Sequence, residues 1–192
     1  PQKYDGEKIR KQHNLQNNFV CLFYGRPGVS KGLEYAIKAF PKIIKEVPHA
    51  KLFAIISTDK DYKKRHDYIM NLIKQHRLEQ HVIVQKPVPY AELPHFHAAA
   101  DCILVPSLAE GFGFTTTESC AMGKPVVASN TTSIPEVISG KHVLVEPKSE
   151  DAIVEGVVKV YNNKHTETPL KQFLWHDTVQ KYIKTYEEVL TR

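Results

Sequence analysis

The chain alternates short runs of apolar, β-branched and aromatic residues with longer stretches in which apolar side chains recur every three or four positions. The first run, residues 19–24, is apolar throughout, which marks a strand covered on both faces. Runs at 52–57, 82–84, 102–105, 126–128 and 143–145 predict five more strands. Between them, Leu33, Ile37, Phe40 and Ile44 recur at helical spacing over 33–47, with Pro41 an expected kink and Pro48 the stop. Ile69, Leu72 and Ile73 make a second apolar stripe over 68–76, and further helices are expected at 91–100, 114–122, 151–161 and 177–190.

Strands separated by helices need crossover connections, which produce parallel pairing with both sheet faces covered. The expected fold is α/β: a Rossmann-like three-layer α/β/α domain with a six-stranded, mostly parallel sheet. Neither an internal repeat nor an interdomain linker interrupts the pattern. Residues 1–192 therefore read as a single domain, with 1–17 an N-terminal lead-in and about 170–192 a C-terminal helix. In such sheets ligands bind beyond the carboxyl ends of the strands, where helix N-termini converge. That directs attention to the loop after the first strand, 25–32, and the loop after the fourth, 106–113.

Composition narrows the picture only slightly. A chain of 192 residues with 42% hydrophobic content has enough apolar surface for one core. No apolar run reaches the roughly 18 residues of a membrane span, and Pro1 to Tyr4 lacks the apolar stretch of a secretory signal. A cytoplasmic protein is expected, and the start at Pro1 without Met suggests a fragment. Cys21, Cys102 and Cys120 sit among apolar neighbours without CxxC spacing and read as small buried hydrophobes. The net charge of +5 favours anionic ligands. Its densest run, Lys63 to His66, reads as a solvated start to a helix. Aromatics do not interleave with the basic residues, so nucleic acid is not expected as a partner.

The first loop sets Arg26 and Lys31 among Gly25, Gly28 and Gly32. A guanidinium offers a fork of donors to phosphate oxygens and an ammonium adds a mobile charge, while the helix that follows points its positive end at the same space. The order is neither GxxxxGK[ST] nor GxGxxG, so neither a Walker loop nor a dinucleotide fingerprint is present. The second loop places Glu110 at a strand's carboxyl edge and Glu118 about one turn into a helix, with free N–H groups expected at Gly113, Phe114 and Thr115. Two carboxylates at different depths suit a ligand with hydroxyls at both ends and a diphosphate between. Taken singly, Glu110 reads equally as a helix cap and Glu118 as a surface residue.

Taken together, Gly25-Arg26, Lys31-Gly32, Ala100-Asp101, Pro106-Ser107, Glu110-Gly111-Phe112-Gly113 and Glu118 resemble the retaining GT-B nucleotide-sugar glycosyltransferases of family 4 type, known as glycosyl transferases group 1. Residues 121–129 are close to that family's AxGxPVVAS, and the stretch from Trp175 to Leu190 resembles its closing helix. The resemblance implies a C-terminal donor-binding domain. Arg26 and Lys31 would hold the donor diphosphate and stabilise its charge as the glycosidic bond breaks. Glu118 would accept the ribose hydroxyls, and Glu110 would lie by the donor sugar. The backbone of Gly111, Phe112, Gly113, Phe114 and Thr115 would hold sugar hydroxyls and phosphate, and the base would rest near Lys86, Pro87 and Val88.

The resemblance further implies no metal and no cofactor, the substrate being a UDP- or GDP-linked sugar. The acceptor, a sugar, glycan or lipid-linked molecule, would be bound by an N-terminal domain outside this chain, on which the C-terminal helix would pack. Peripheral membrane contact by the full-length protein is compatible with this. The sequence departs from the family at Ser57 to Asp59, at Lys86 and at 130–136, which leaves base and sugar open. Asp59-Lys60-Asp61 mimics a DxD metal motif and His95-Phe96-His97 a zinc pair, but neither has further ligands nearby in sequence, and both read as surface or packing residues. Alternative readings are a non-catalytic nucleotide-sugar-binding module and, from architecture alone, a nicotinamide-dependent oxidoreductase, which the missing GxGxxG disfavours.

Overall fold

A computed structural model describes residues 4–191. Seven strands form one sheet: β1 (Phe19–Gly25), β2 (Ala50–Ile56), β3 (Val82–Gln85), β4 (Cys102–Val105), β5 (Val126–Ser129), β6 (Gly140–Val145) and β7 (Thr166–Thr168). Their order is β3-β2-β1-β4-β5-β6-β7. All six predicted strands are present and pair in parallel. The seventh, β7, was not expected. It runs antiparallel along the Gly140–His142 end of β6, and its three residues are exposed, so no apolar alternation announces it.

Eight α-helices accompany the sheet: α1 (Gly6–Gln12), α2 (Leu33–Glu46), α3 (Lys63–Gln75), α4 (Leu93–Ala99), α5 (Phe114–Ala121), α6 (Ile134–Val137), α7 (Glu150–Tyr161) and α8 (Trp175–Leu190). Helix α2 runs on through Pro41. The lead-in at 1–17 contains an unpredicted helix, α1, which Asp5 caps by accepting from the Lys8 N–H at 2.9 Å. Arg10 on α1 donates to the carbonyls of Ala99 and Asn18 and pairs with Asp101 at 2.6 Å, which fastens the lead-in to the sheet.

Successive residues of β1 point to opposite faces, as the period of a strand requires. Cys21 and Phe23 enter a core that contains Leu33, Ile37, Phe40 and Ile43 of α2, Ile69 and Leu72 of α3, and Val157 of α7. Val20, Leu22 and Tyr24 face the other way, into a core with Ile9 of α1, Phe96 of α4, Cys120 of α5 and Ile134 of α6. All three cysteines are free and buried. The strand order reverses between β1 and β4, and the loops after these two strands flank the resulting crevice. Among the described residues, no helix is long and apolar enough to cross a membrane.

Candidate functional site

The two loops at the switch point are locked together by backbone. Gly32 has φ +64°, which favours glycine, and a Cβ there would collide with the Pro106 carbonyl oxygen. Beside it the Leu108 N–H donates to the Ser30 carbonyl at 2.7 Å. Arg65 braces the first loop from behind, donating to the Pro27 carbonyl at 3.0 Å and pairing with buried Glu34 at 2.8 Å. The basic run at the start of α3 is therefore only partly solvated. Lys63 pairs with Asp67 in water, but Arg65 is half-buried structure.

This approach brings together two side chains 79 residues apart. Lys31 Nζ donates to Glu110 Oε1 at 2.7 Å, and Ser107 Oγ donates to the same oxygen at 2.8 Å. Both charged side chains are largely buried, at 18% and 10% exposure, so the pair is shielded from the screening that weakens surface ion pairs. The loop at 130–136 clasps Glu110 by its main chain. The Glu110 N–H donates to Thr132 Oγ1 at 3.0 Å, Ser133 Oγ donates to the Glu110 carbonyl at 3.0 Å, and Thr131 Oγ1 donates to the Leu108 carbonyl at 3.3 Å. Helix α5 begins just beyond at Phe114, and its N-cap Gly113, at φ +93°, supplies no side-chain cap, so the first N–H groups of the helix remain available to a ligand.

Arg26 lies on the same loop as Lys31, at its β1 end. It is exposed and lines a cavity of about 350 Å³ with Gly25, Tyr24, Ser57, Asp59, Pro87 and Val88. It has no ion-pair partner among the described residues. Leu93 separates this cavity from a second, of about 280 Å³, which is lined by Glu118, Tyr90 and His97.

Glu118 is held by two phenols. Tyr24 lies 3.0 Å from its Oε2, and Tyr90 donates to its Oε1 at 3.0 Å. Burial pushes the Tyr24 phenol well above its ordinary range, and the neighbouring carboxylate adds to the effect. The bond that Tyr90 donates to Glu118 raises its own phenol too. Behind Tyr24, Ser119 Oγ donates to the Thr115 carbonyl at 2.7 Å. Buried His97 packs its ring edge-on against Tyr24 with centroids 4.9 Å apart, and desolvation lowers its pKa to about 4. His95 Nδ1 accepts the Asp5 N–H at 2.8 Å. Asp59 accepts from Ser57 Oγ at 2.7 Å. Among the described residues no group of three or more His, Cys, Asp or Glu side chains is placed to hold a metal.

Lys31 and Glu110 thus meet directly, while Gly25, Arg26, Pro87 and Val88 share one cavity and Glu118 lines the next. Lys86 is exposed and does not line either cavity. Gly111 is exposed. Phe112 packs tilted against Phe114 and edge-on against Phe173, with centroids 4.9 and 5.2 Å away. Thr115 contributes its carbonyl to the polar cluster behind Glu118. Sequence reasoning missed Tyr24 and Tyr90, and only the packing identifies them. It also left Ser107 and Thr132 without a role, although both lie in loops already singled out.

Residues 5–173 match the family described as glycosyl transferases group 1. An uncharacterised glycosyltransferase of Methanocaldococcus jannaschii is 31% identical over 94% of this chain and 48% of its own length. A GDP-mannose-dependent phosphatidylinositol monomannoside mannosyltransferase of Mycolicibacterium smegmatis is 28% identical over 78% of this chain and 40% of its own. The sucrose-phosphate synthase of Thermosynechococcus elongatus superposes with a TM-score of 0.74 at 26% identity, covering 84% of this chain and 41% of that one. The chain spans about half the length of the curated relatives that it matches along most of its own length. The fold is that of one half of a GT-B glycosyltransferase, and the chain belongs to the glycosyl transferases group 1 family.

Proposed function

We propose that this chain is the donor-binding half of a retaining, metal-independent glycosyltransferase that moves a sugar from a nucleoside diphosphate to an acceptor hydroxyl. The observation that carries the reading is the buried Lys31–Glu110 pair, reinforced by Ser107, with Arg26 on the same loop as Lys31 and unpaired among the described residues, and with the uncapped start of α5 a few residues after Glu110. In the free protein Glu110 neutralises Lys31. An incoming diphosphate would compete for that ammonium and draw on Arg26 and the α5 N–H groups, while Glu110 turned to sugar hydroxyls. As the bond from the anomeric carbon to the phosphate oxygen breaks, these cations stabilise the charge left on the diphosphate, which a metal ion would otherwise do. The acceptor oxygen bonds to the same face of that carbon, and its proton passes to a phosphate oxygen. Configuration is retained.

Pro87 and Val88 lie where a base would rest, and Glu118 where ribose hydroxyls would. The M. smegmatis relative is named as GDP-mannose-dependent, which supports a nucleoside-diphosphate sugar as the donor class. The acceptor, a glycan or lipid-linked sugar, belongs to an N-terminal half against which α8 seats, in a cytoplasmic protein with peripheral membrane contact.

Calorimetry on this chain tests the donor site. UDP or GDP should bind, with NAD inert and chelator without effect. Lys31→Ala and Arg26→Ala should each weaken the diphosphate by about tenfold or more, the cost of one charge-assisted bond. Failure of every nucleoside diphosphate to bind would sink the reading. In a protein with both halves, Glu110→Ala should abolish transfer with the fold intact. Persistent activity there would remove Glu110 from the mechanism.

A further inference from the structure

Resting on the reading just given, we propose that Tyr24 is the positioning residue for Glu118. On the same grounds, Tyr90 is a stand-in that occupies, in the free protein, the hydrogen-bonding place a ribose diol takes on binding.

The two carboxylates of the site are held by different chemistry. Glu110 faces an ammonium, whereas Glu118 has no cation partner among the described residues and faces two neutral phenols. A carboxylate that must turn to two vicinal hydroxyls keeps its acceptor strength when neutral donors hold it. An ammonium would hold it until an anion competed for the charge, as the diphosphate does for Lys31 at Glu110.

The two phenols are themselves unequal. Tyr24, the penultimate residue of β1, is 8% exposed and has its ring wedged against His97, so its hydroxyl cannot leave. A phenol has one proton to give. The Thr115 carbonyl, which is also 3.0 Å from Tyr24, already receives the Ser119 hydroxyl at 2.7 Å. Of the two acceptors at 3.0 Å, the charged Glu118 Oε2 is the stronger and takes the Tyr24 proton. Tyr90 is 73% exposed on the short 3-10 turn Tyr90–Glu92, and its bond to Oε1 is the one hydrogen bond its side chain makes among the described residues. Water replaces that bond at little cost when the ring swings away. The turn follows directly on Pro87 and Val88, so a base settling there would displace Tyr90 as its ribose reached Glu118. Tyr24 then fixes one carboxylate oxygen while the diol takes the other.

The test is the affinity ratio between UDP or GDP and the 2′,3′-dideoxy form of the same nucleotide, measured by calorimetry on this chain. We expect the unmodified chain to favour the ribonucleotide by about tenfold or more, and Glu118→Gln to bring the ratio near one. Tyr24→Phe should cut the ratio several-fold while leaving the dideoxy affinity in place. A purely structural role would instead weaken both ligands equally and keep the ratio. Tyr90→Phe should preserve the ratio or raise it. Ribose selectivity that depends on Glu118 but survives Tyr24→Phe overturns the positioning role, and selectivity lost in Tyr90→Phe overturns the stand-in. A ratio indifferent to Glu118→Gln would overturn the underlying ribose assignment instead.

Discussion

Helices α2 and α8 carry the same kind of message and meet opposite fates. On α2, Leu33, Ile37, Phe40 and Ile43 line one face and are all fully buried. On α8, Trp175, Val179, Tyr182, Ile183, Tyr186 and Leu190 recur with the same three-and-four spacing, yet the helix contributes no buried residue, and Trp175 and Leu190 are 84% and 85% exposed. Periodicity announces that a face is built for burial, but it does not say against what. For α2 the partners lie within the chain, in the sheet and in α3 and α7. For α8 no described element covers the stripe, and an exposed apolar patch of this kind on a folded chain marks an interaction surface.

The contrast is broken most severely at Phe40. Truncating a fully buried aromatic removes its transfer energy and leaves a cavity, so Phe40→Ala should lower stability by about 3–5 kcal/mol. The urea midpoint would report it, with the slope unchanged if the transition stays two-state. A loss below about 1 kcal/mol would mean that the α2 face is less tightly packed than its burial indicates.

Titration probes the interior at somewhat smaller amplitude. Burial holds His97 at about 4 against an ordinary 6.5, among Tyr24, Ser119 and Lys124. The unfolded chain takes up a proton near pH 6.5 and the folded one only near pH 4. The stability this represents is complete above about 6.5, is lost progressively as pH falls through the window, and levels off below about 4. Over those 2.5 units the loss is of the order of 3 kcal/mol at most. Urea midpoints compared at pH 7 and pH 5 should converge in His97→Gln relative to the unmodified chain, and an unchanged slope would assign the acid sensitivity to other groups.

The contrast also explains what was legible in the sequence. The six parallel strands were readable because burial on both faces makes them short, dense apolar runs, as at 19–24. Lys31 and Glu110 were readable as residues of one crevice, though not as an ion pair, because the topological rule brings the loops after β1 and β4 together whatever the distance along the chain. Helix α1 was not readable. Ile9 is its one buried residue, and Arg10 is held by carbonyl oxygens whose positions exist only in the folded sheet. Arg65 looked solvated for the same reason, since Glu34 and the Pro27 carbonyl reach it only across the fold. Tyr24 looked like the last apolar residue of a strand. Which face it takes, and that Glu118 waits there, follows from the register of β1 between β2 and β4 rather than from any spacing.

The smallest expected effect is the most informative about α8. A substitution at an exposed position without buried contacts usually changes stability by no more than about 0.5 kcal/mol. Trp175→Ser and Ile183→Ser should therefore leave the urea midpoint of this chain almost unmoved, although both positions look core-like in sequence. The same substitutions in a protein carrying the other half should cost about 2 kcal/mol or more each, because burial would then supply the transfer energy of a large apolar side chain. Equal and small effects in both contexts would leave the stripe free for another partner. A large effect in this chain alone would mean that α8 folds back onto its own domain in solution, and would erase the difference from α2.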